Sequence, residues 1–341
     1  MGEREVSKVL EKIDDYEQSI HACLSLIHIY KWDDELKKVD PNVLHWIGKE
    51  FNPGELTPDV GLQLTDKRGI VVELKESLPQ NGDNENDYWR DSFDQLKKYD
   101  SELDGWDTPS KKIENQELVF LTAQKFSRKV IDYINNNNLS FNDFSKNFAI
   151  LEYNPANGLK EGVFIRLENG DIDDFKTITK QRLRDGITVS LSFLFNSGLS
   201  SIKFLDYPPS PVYIMAILWD HVFNSMIGED DWRNAKTEGT RKMIEIEVTV
   251  DQLREKLSNN FADCNAKQGI KEKWVEEALD NFVKIKFAKK RKDIAKGYTI
   301  KYRKKISADD SNKHRAFAEL LYGSAGLQST LEGFEDSANK K

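Results

Sequence analysis

Residues 57–77 contain the residue types from which hydrolytic metal sites are built. Asp59 follows a proline, and Glu73 and Lys75 lie at the end of an apolar run that begins at Ile70. Side chains two positions apart lie on the same face of a strand, so Glu73 and Lys75 are predicted to share one face. Because Asp59 precedes the neighbouring predicted strand, we expect its carboxylate to lie beside that of Glu73.

A divalent metal ion would explain why a carboxylate stands in an apolar strand. A buried charge is unfavourable unless a partner compensates it. Hard cations such as Mg²⁺ take oxygen ligands, usually including one or two carboxylates, with water and a substrate phosphate completing the shell. Such a metal polarises the phosphate and lowers the pKa of bound water, and a lysine adds positive charge near the nucleophile. The pattern therefore indicates phosphodiester hydrolysis.

Hydrophobic spacing and turn residues predict the elements that position these side chains. A three-and-four spacing of apolar residues over 5–30 is typical of an amphipathic helix, and a second helix is predicted over 42–51. The elements predicted after it are strands over 60–65 and 69–75 in a hairpin, a helix over 88–100, a strand over 117–123, a helix over 127–136, strands over 148–153 and 163–170, and a linking helix around 189–196. This order predicts an α/β fold, a mixed sheet with helices available for both faces.

Two short motifs resemble the signature of the PD-(D/E)XK nuclease superfamily. Residues 58–59 read Pro-Asp, and residues 73–75 read Glu-Leu-Lys at the end of an apolar strand. The predicted element order is also similar to the αβββαβ core of that superfamily. The resemblance covers roughly residues 40–155 and implies a restriction-endonuclease-like fold.

The resemblance implies roles for the residues of these motifs. Asp59 and Glu73 would bind Mg²⁺, with Mn²⁺ as a possible replacement, and the backbone carbonyl of Leu74 would be a further ligand. Lys75 would orient or activate the attacking water and stabilise the negative charge that grows on the phosphate.

Further site residues are assigned on the same resemblance. Gln95 and Tyr99 stand four positions apart on a predicted helix and resemble the Q-x-x-x-Y motif of the RecB-like branch. There they would position water, the metal shell or the nucleic-acid backbone. Many relatives carry a helix-borne glutamate ahead of the Pro-Asp motif, for which Glu50 is the first candidate and Glu35 the second. His45 is an alternative ligand that would favour Mn²⁺.

The composition narrows the class of protein. The chain of 341 residues has a net charge of −8, and its two cysteines and five histidines offer neither a disulfide framework nor a cysteine-rich zinc site. The N-terminus lacks the apolar core of a secretory signal, and no run has the length of a membrane span. We therefore expect a globular protein of a reducing compartment, the cytoplasm, without a membrane partner.

A second domain is predicted after the proline-rich segment 207–211. Helices over 212–227, 250–259 and 271–287, a strand over 244–250 and a basic hairpin around Gly297 resemble the order of a winged-helix domain. The predicted divisions are a nuclease-like domain with an N-terminal helix over 1–206, a winged-helix-like α+β domain over 207–311, and a C-terminal helix with a mobile tail over 312–341.

The basic hairpin predicts contact with a nucleic acid. Residues 284–305 contain eleven Lys or Arg residues and one acid, a net charge of +10. Because the whole chain has a net charge of −8, the remaining residues together carry −18. Such a cluster attracts a phosphate backbone with little dependence on sequence. The alternatives are a solvated hairpin, a docking site for an acidic partner, and a domain that binds only protein. The candidate DNA-binding residues are Lys286, Lys289, Lys290, Arg291, Lys292, Lys296, Lys301, Arg303 and Lys304.

These features predict a Mg²⁺-dependent nuclease that acts on DNA. An endonuclease is preferred to an exonuclease because no helicase motif is present to feed a strand, and DNA is preferred to RNA on the resemblance alone. Defence against foreign DNA, mobile-element processing and repair stay open as roles, as do a homodimer and a partner subunit. The alternatives are a non-catalytic DNA-binding protein on a nuclease-like scaffold and an RNA-cleaving endonuclease, which His45 would favour.

Overall fold

The computed structural model of the chain describes residues 2–32, 44–47, 56, 58–63, 67–75, 85–108, 111–137, 139–156, 162–172, 180–192, 202–205, 207–233, 235–238, 241–261, 270–306 and 312–323. The chain divides into two compact units. The sheet unit comprises Asp15–Asp206 and Asp263–Gln268, and the hairpin unit comprises Met1–Asp14, Tyr207–Ala262 and Gly269–Lys341. None of the helices in these described ranges combines the length and apolarity that a membrane span requires.

The first part of the chain forms a mixed sheet flanked by helices. Its elements, in chain order, are α1 (Gly2–Trp32), β1 (Leu44–Ile47), β2 (Val60–Gln63), β3 (Arg68–Lys75), α2 (Glu85–Glu102), β4 (Trp106–Thr108), β5 (Lys111–Ile113), β6 (Asn115–Ala123), α3 (Gln124–Asn136), β7 (Phe148–Ala156), β8 (Gly162–Gly170), α4 (Lys180–Asp185) and β9 (Ile187–Val189). The α/β class therefore agrees with the expectation from the sequence.

The strand order of the sheet is β1-β2-β3-β6-β7-β8-β9, and β4 pairs with β5 in a separate two-stranded ribbon. The pairs β3–β6 and β6–β7 are parallel, and the other pairs of the large sheet are antiparallel. The carboxyl ends of the three parallel strands therefore lie at one edge of the sheet. In open sheets with parallel strands, this is the edge at which ligands bind.

Two expectations near the sheet require correction. The helix predicted over 42–51 is wrong for Leu44–Ile47, which forms β1 and pairs antiparallel with β2 from Leu44↔Gln63 to Ile47↔Val60. The pairing satisfies the backbone groups along the side of β2 that faces away from β3, and a short Leu-His-Trp-Ile segment suits a strand. The linking helix predicted around 189–196 begins later than expected: Val189 ends β9, Leu191 and Ser192 are helical, and residues 193–196 lie outside the described residues.

Helix α2 packs its apolar stripe on the sheet. Trp89, Phe93 and Leu96, which recur at helical spacing, are all buried, as the sequence predicts. The Phe93 ring stacks on Phe120 of β6 with centroids 5.6 Å apart and meets Phe148 of β7 edge-on at 6.2 Å. This core holds α2 over one face of the sheet, which fixes the polar residues of the helix relative to β3.

The hairpin unit is built around a second sheet, with strand order β10-β11-β13-β12 and every pair antiparallel. The elements that follow β9 are α5 (Pro211–Ile217), a π-helical continuation (Leu218–Phe223), α6 (Glu229–Arg233), β10 (Lys236–Glu238), β11 (Arg241–Thr249), α7 (Val250–Phe261), α8 (Glu272–Lys284), β12 (Ala288–Lys290), β13 (Gly297–Tyr302) and α9 (Lys313–Tyr322). The tail after Gly323 lies outside the described residues.

The core of the hairpin unit centres on Trp219. Its ring lies 4.8–5.6 Å, centroid to centroid, from the rings of Tyr302, Phe287, Phe282 and Phe317. Aromatic contacts of this kind supply large buried apolar areas. They connect the π-helical segment to α8, α9 and β13, and to Phe287, the residue that precedes β12.

Candidate active site

Asp59 and Leu74 meet at the carboxyl end of β3. The Asp59 Oδ2 atom accepts a hydrogen bond of 2.6 Å from the backbone N–H of Leu74. The pairing of β2 with β3 ends at Val60↔Val72, so Leu74 lies two residues beyond the last pair. In an extended strand the N–H and C=O of one residue point to the same side, and the Leu74 carbonyl therefore faces the side on which Asp59 lies.

Glu73 is buried beside this contact. Only 2% of the residue is exposed, yet both carboxylate oxygens accept hydrogen bonds. Lys75 Nζ donates to Oε1 at 2.6 Å, and the hydroxyl of Tyr99 donates to Oε2 at 3.1 Å. Two donors thus compensate a carboxylate that would otherwise be costly to bury.

Helix α2 supplies the polar side chains that face Glu73. Gln95 Nε2 donates a hydrogen bond to the Tyr99 hydroxyl, as expected for residues four apart on one helical face. The carbonyl of Tyr99 in turn accepts from Gln116 Nε2 at 3.0 Å, and Gln116 Oε1 accepts from the N–H of Gly105 at 2.8 Å. A hydrogen-bonded chain from Gln95 through Tyr99 therefore reaches the Glu73 carboxylate, and its helix is fastened to β6.

Lys75 has two neighbours that belong to neither sequence motif. Its ammonium nitrogen lies 5.9 Å from the ring centroid of Tyr88, at the outer limit of a cation–π contact. The Thr122 hydroxyl on β6 donates to the Lys75 carbonyl at 3.2 Å. The helical spacing of Tyr88 from Gln95 and Tyr99 is a signal for the first contact. The second depends on the parallel pairing of β3 with β6, for which no local signal exists.

The charges of the cluster shift the pKa values of its members. Burial opposes the ammonium form of Lys75, but the carboxylates of Glu73 and Asp59 outweigh burial and raise the pKa of Lys75 above its ordinary value. Burial, followed by the negative charge of Glu73, raises the pKa of Tyr99. At neutral pH the cluster thus contains an ammonium ion and a neutral phenol, and both donate to Glu73.

The donor set suits a hard divalent cation. Asp59, Glu73 and the Leu74 carbonyl offer only oxygen atoms, which Mg²⁺ and Mn²⁺ prefer. Across the part of the chain that the structure describes, no group of three or more His, Cys, Asp or Glu side chains could hold a metal ion. A cation at β3 would therefore rely on two carboxylates and a carbonyl, with water or substrate oxygens, a ligand set within the range that Mg²⁺ uses.

The remaining candidate ligands are not brought to the site by any described contact. His45 lies in β1 rather than on a helix, and its backbone pairs with that of Leu62. Glu35 and Glu50 lie outside the described residues. The described site accordingly consists of the motif residues and the two residues of the α2 motif.

A row of polar residues continues from Lys75 across the same edge of the sheet. In the strand register Lys75 stands beside Thr122, Thr122 beside Glu152, and Glu152 beside Arg166. Glu152 is buried and pairs with Arg166 at 2.6 Å, and Arg166 also pairs with Glu168 at 3.0 Å. Arg166 is thus shared by two carboxylates of this row, and we assign the row a supporting role.

A cavity of about 280 Å³ lies at the opposite end of the parallel strands, near the start of β3 and β6. Buried Gln116 and Glu117 line it, and both already have partners: Gln116 bonds to Gly105 and Tyr99, and Glu117 accepts from Asn147 at 3.2 Å. Cavities are common binding sites, but the buried Gln116 and Glu117 of this one are already hydrogen-bonded. We place the candidate active site at the carboxyl end of β3, where charge and geometry converge.

The basic hairpin of the second unit is present, and several of its cations are already paired. Strands β12 and β13 pair antiparallel, with Lys289 opposite Thr299. Three hairpin cations form ion pairs with acids of the same unit: Lys290 with Asp280, Arg291 with Glu247 and Asp293, and Lys296 with Glu272. Two of these acids belong to α8, so the acidic face of this helix fastens the hairpin.

The other hairpin cations differ in their surroundings. Arg303 lies over the Phe287 ring at 4.5 Å, and Lys304 lies over the Trp232 ring at 4.9 Å. Lys301 is half-buried in β13. Of the remaining candidate DNA-binding residues, three lysines are exposed and form no ion pair with any described residue; we call them the free lysines: Lys286, Lys289 and Lys292.

Comparison of the chain with protein-family models, with curated proteins and with solved structures gives no match. Function is therefore inferred from the residues and contacts of the chain itself.

Proposed function

We propose that this protein is a metal-dependent nuclease that hydrolyses phosphodiester bonds in DNA, with Mg²⁺ as cofactor and Mn²⁺ as a possible replacement. The observation that carries the proposal is the meeting of Asp59, Glu73 and Lys75 at the carboxyl end of β3. The similarity of these residues, and of the order α1, β1–β3, α2, β6, to the restriction-endonuclease-like PD-(D/E)XK fold supports it.

Each residue of the cluster has a distinct part in this chemistry. A bound metal supplies Lewis acidity, which polarises the phosphate and makes a coordinated water more acidic. Asp59, Glu73 and the Leu74 carbonyl would hold it. Lys75, as an ammonium ion, stabilises charge on the phosphate and orients the water. The Tyr99 hydroxyl holds the Glu73 carboxylate in place.

The hairpin unit is proposed to bind the nucleic acid. Its elements α5, β11, α7, α8 and the β12–β13 hairpin follow an order that resembles a winged-helix domain, with α6 and β10 inserted before β11. Strand β10 adds a fourth strand to the sheet beside β11. The free lysines offer exposed positive charge to a phosphate backbone. DNA rather than RNA, and an endonuclease of defence, mobile-element processing or repair, follow from the resemblance.

A cleavage assay with matched variants tests the proposal. Plasmid and single-stranded DNA are incubated with Mg²⁺ and the wild-type protein, Asp59→Ala, Glu73→Ala or Lys75→Ala. We expect each variant to lose roughly 10²-fold or more of the cleavage rate while DNA binding persists, because charge stabilisation of the transition state is removed. Glu114→Ala, at an exposed position near the opposite end of β6, is the control and should cut normally. Equal cleavage by all variants would overturn the site assignment.

One competing function is favoured by a separate observation. The exposed charge of the free lysines is present whether or not a metal binds at β3. DNA binding without cleavage is therefore the competing function. Tight, salt-sensitive DNA binding without cleavage in any divalent ion would support this non-catalytic alternative. Matched DNA and RNA substrates in the same assay decide whether the nuclease prefers RNA instead.

A further inference from the structure

The Lys75 ammonium donates a hydrogen bond to a carboxylate oxygen of Glu73, a proposed metal ligand. Lys75 Nζ lies 2.6 Å from Glu73 Oε1, and the two side chains are only 19% and 3% exposed. The second oxygen, Oε2, accepts from the Tyr99 hydroxyl. A divalent ion that binds Glu73 through Oε1 must therefore compete with an existing cation.

This arrangement follows from the cost of burying a charge. Glu73 is ionised in an apolar strand and requires a positive partner whether or not a metal is present. Among the described residues, the cation that pairs with it is Lys75. A metal ion and an ammonium ion held at the same carboxylate oxygen repel each other strongly at low effective dielectric, because both are positively charged.

The surroundings of Lys75 allow the ammonium to move. Lysine carries its charge on a flexible four-carbon stem. The Tyr88 ring, 5.9 Å from Nζ, offers a face that attracts a cation. A phosphate bound at the metal would attract the displaced ammonium as well, because the phosphate is negatively charged.

We propose that Lys75 is a place-holding counter-ion, which compensates Glu73 in the metal-free protein and leaves Oε1 when a divalent ion binds. This inference rests on the proposed function, since it takes Asp59 and Glu73 as the metal ligands. It predicts that Lys75 weakens metal binding in the absence of substrate. The phosphate of the nucleic acid then offsets the repulsion between the metal and Lys75. Binding of the metal is therefore coupled to binding of the nucleic acid.

Calorimetric titration of the full-length protein with Mn²⁺, without DNA, tests the inference directly. Lys75→Met keeps an unbranched side chain of similar length but removes the charge, and we expect it to bind Mn²⁺ about tenfold or more tightly than wild type. Lys75→Arg keeps the charge and should bind no more tightly than wild type. Glu73→Gln should bind more weakly than either, because it removes a ligand.

Thermal unfolding supplies a readout that does not depend on catalysis. Without metal, Lys75→Met should melt below wild type, because Glu73 is left as an uncompensated buried charge. Addition of Mn²⁺ should raise its melting temperature more than that of wild type. Lys67→Met is the matched control: Lys67 pairs with Glu114 at 2.7 Å but both side chains are about half exposed, so its loss should change little.

The outcomes separate this inference from the function on which it rests. Weaker or unchanged Mn²⁺ binding in Lys75→Met, with binding still lost in Glu73→Gln, overturns the place-holding role and leaves the metal site intact. Failure of every variant to bind Mn²⁺ overturns both. Tight binding by Lys75→Met together with a larger melting shift supports the inference, even if wild type binds too weakly to measure.

Discussion

At the scale of single residues, Glu73 is the group whose burial has the greatest consequences. It lies in a strand whose neighbouring side chains are apolar, and its charge is balanced by hydrogen bonds from Lys75 and Tyr99. Breaking a buried ion pair by removing one partner typically costs about 3–5 kcal/mol. The residues proposed for catalysis therefore also contribute to the stability of the sheet unit.

Removal of the Tyr99 hydroxyl should destabilise the protein without disturbing its packing. Tyr99→Phe keeps a fully buried ring but leaves one oxygen of an ionised carboxylate with one donor fewer. We expect the free energy of unfolding to fall by about 1–3 kcal/mol, measured by urea denaturation. Tyr322→Phe, at a residue that is 40% exposed, is the control and should change it by less than about 0.5 kcal/mol. Identical urea midpoints for Tyr99→Phe and wild type would contradict the hydrogen bond.

At the scale of elements, the position of β3 depends on a close approach to β4. A Cβ atom added at Gly69 would overlap the ring of Trp106, which is buried in the core under α2. Gly69 lies on the same face of β3 as Glu73, since the two residues are separated by an even number of positions. The contact with Trp106 therefore helps to fix the distance between β3, which carries the site, and the side chains packed on this face.

A double-mutant cycle tests this contact. Gly69→Ala should lower the free energy of unfolding by about 1–3 kcal/mol through overpacking, and Trp106→Ala by about 3–5 kcal/mol through loss of a buried aromatic ring. The double variant should lose clearly less than the sum, because the added methyl group then enters the vacated space. Denaturant unfolding of the four proteins provides the measurement. Strict additivity would show that the two residues do not share a contact.

At the scale of the whole molecule, charge is distributed very unevenly. Residues 284–305 carry a net charge of +10 in a chain whose total is −8. The folded hairpin unit reduces the effect of that excess, because Lys290, Arg291 and Lys296 pair with acids of the same unit. The cations with the greatest freedom to meet a phosphate are the free lysines.

Two triple variants of equal charge separate these groups of cations. Replacing the free lysines with glutamine should lower the slope of log affinity against log salt by up to about 2.7, since each phosphate contact contributes about 0.9. Replacing Lys290, Arg291 and Lys296 with glutamine should change the slope less and lower the melting temperature instead. Anisotropy of a labelled duplex over a salt series measures the slope. Equal slopes for both triple variants would assign the nucleic-acid contact to net charge rather than to particular lysines.

Local sequence determined those features that depend on neighbours along the chain. The spacing of Trp89, Phe93 and Leu96 predicted the buried face of α2, and the same helical period places Gln95 beside Tyr99. The polar Asp-Lys-Arg-Gly turn at 66–69, between two strand candidates, predicted that β3 pairs with β2 in a hairpin. These predictions succeed because side-chain direction in a helix or strand is set by backbone geometry within a few residues.

Tertiary structure alone decided the features that depend on strand partners and on charge pairing at a distance. Leu44–Ile47 is a strand because β2 offers it a partner, and Thr122 reaches Lys75 because β6 pairs with β3 in parallel. Lys290 differs from its neighbour Lys289 because folding brings Asp280 close enough to form an ion pair with Lys290. Hydrogen-bond partners in a sheet and ion pairs between elements are selected by the packing of distant segments, which local periodicity does not encode.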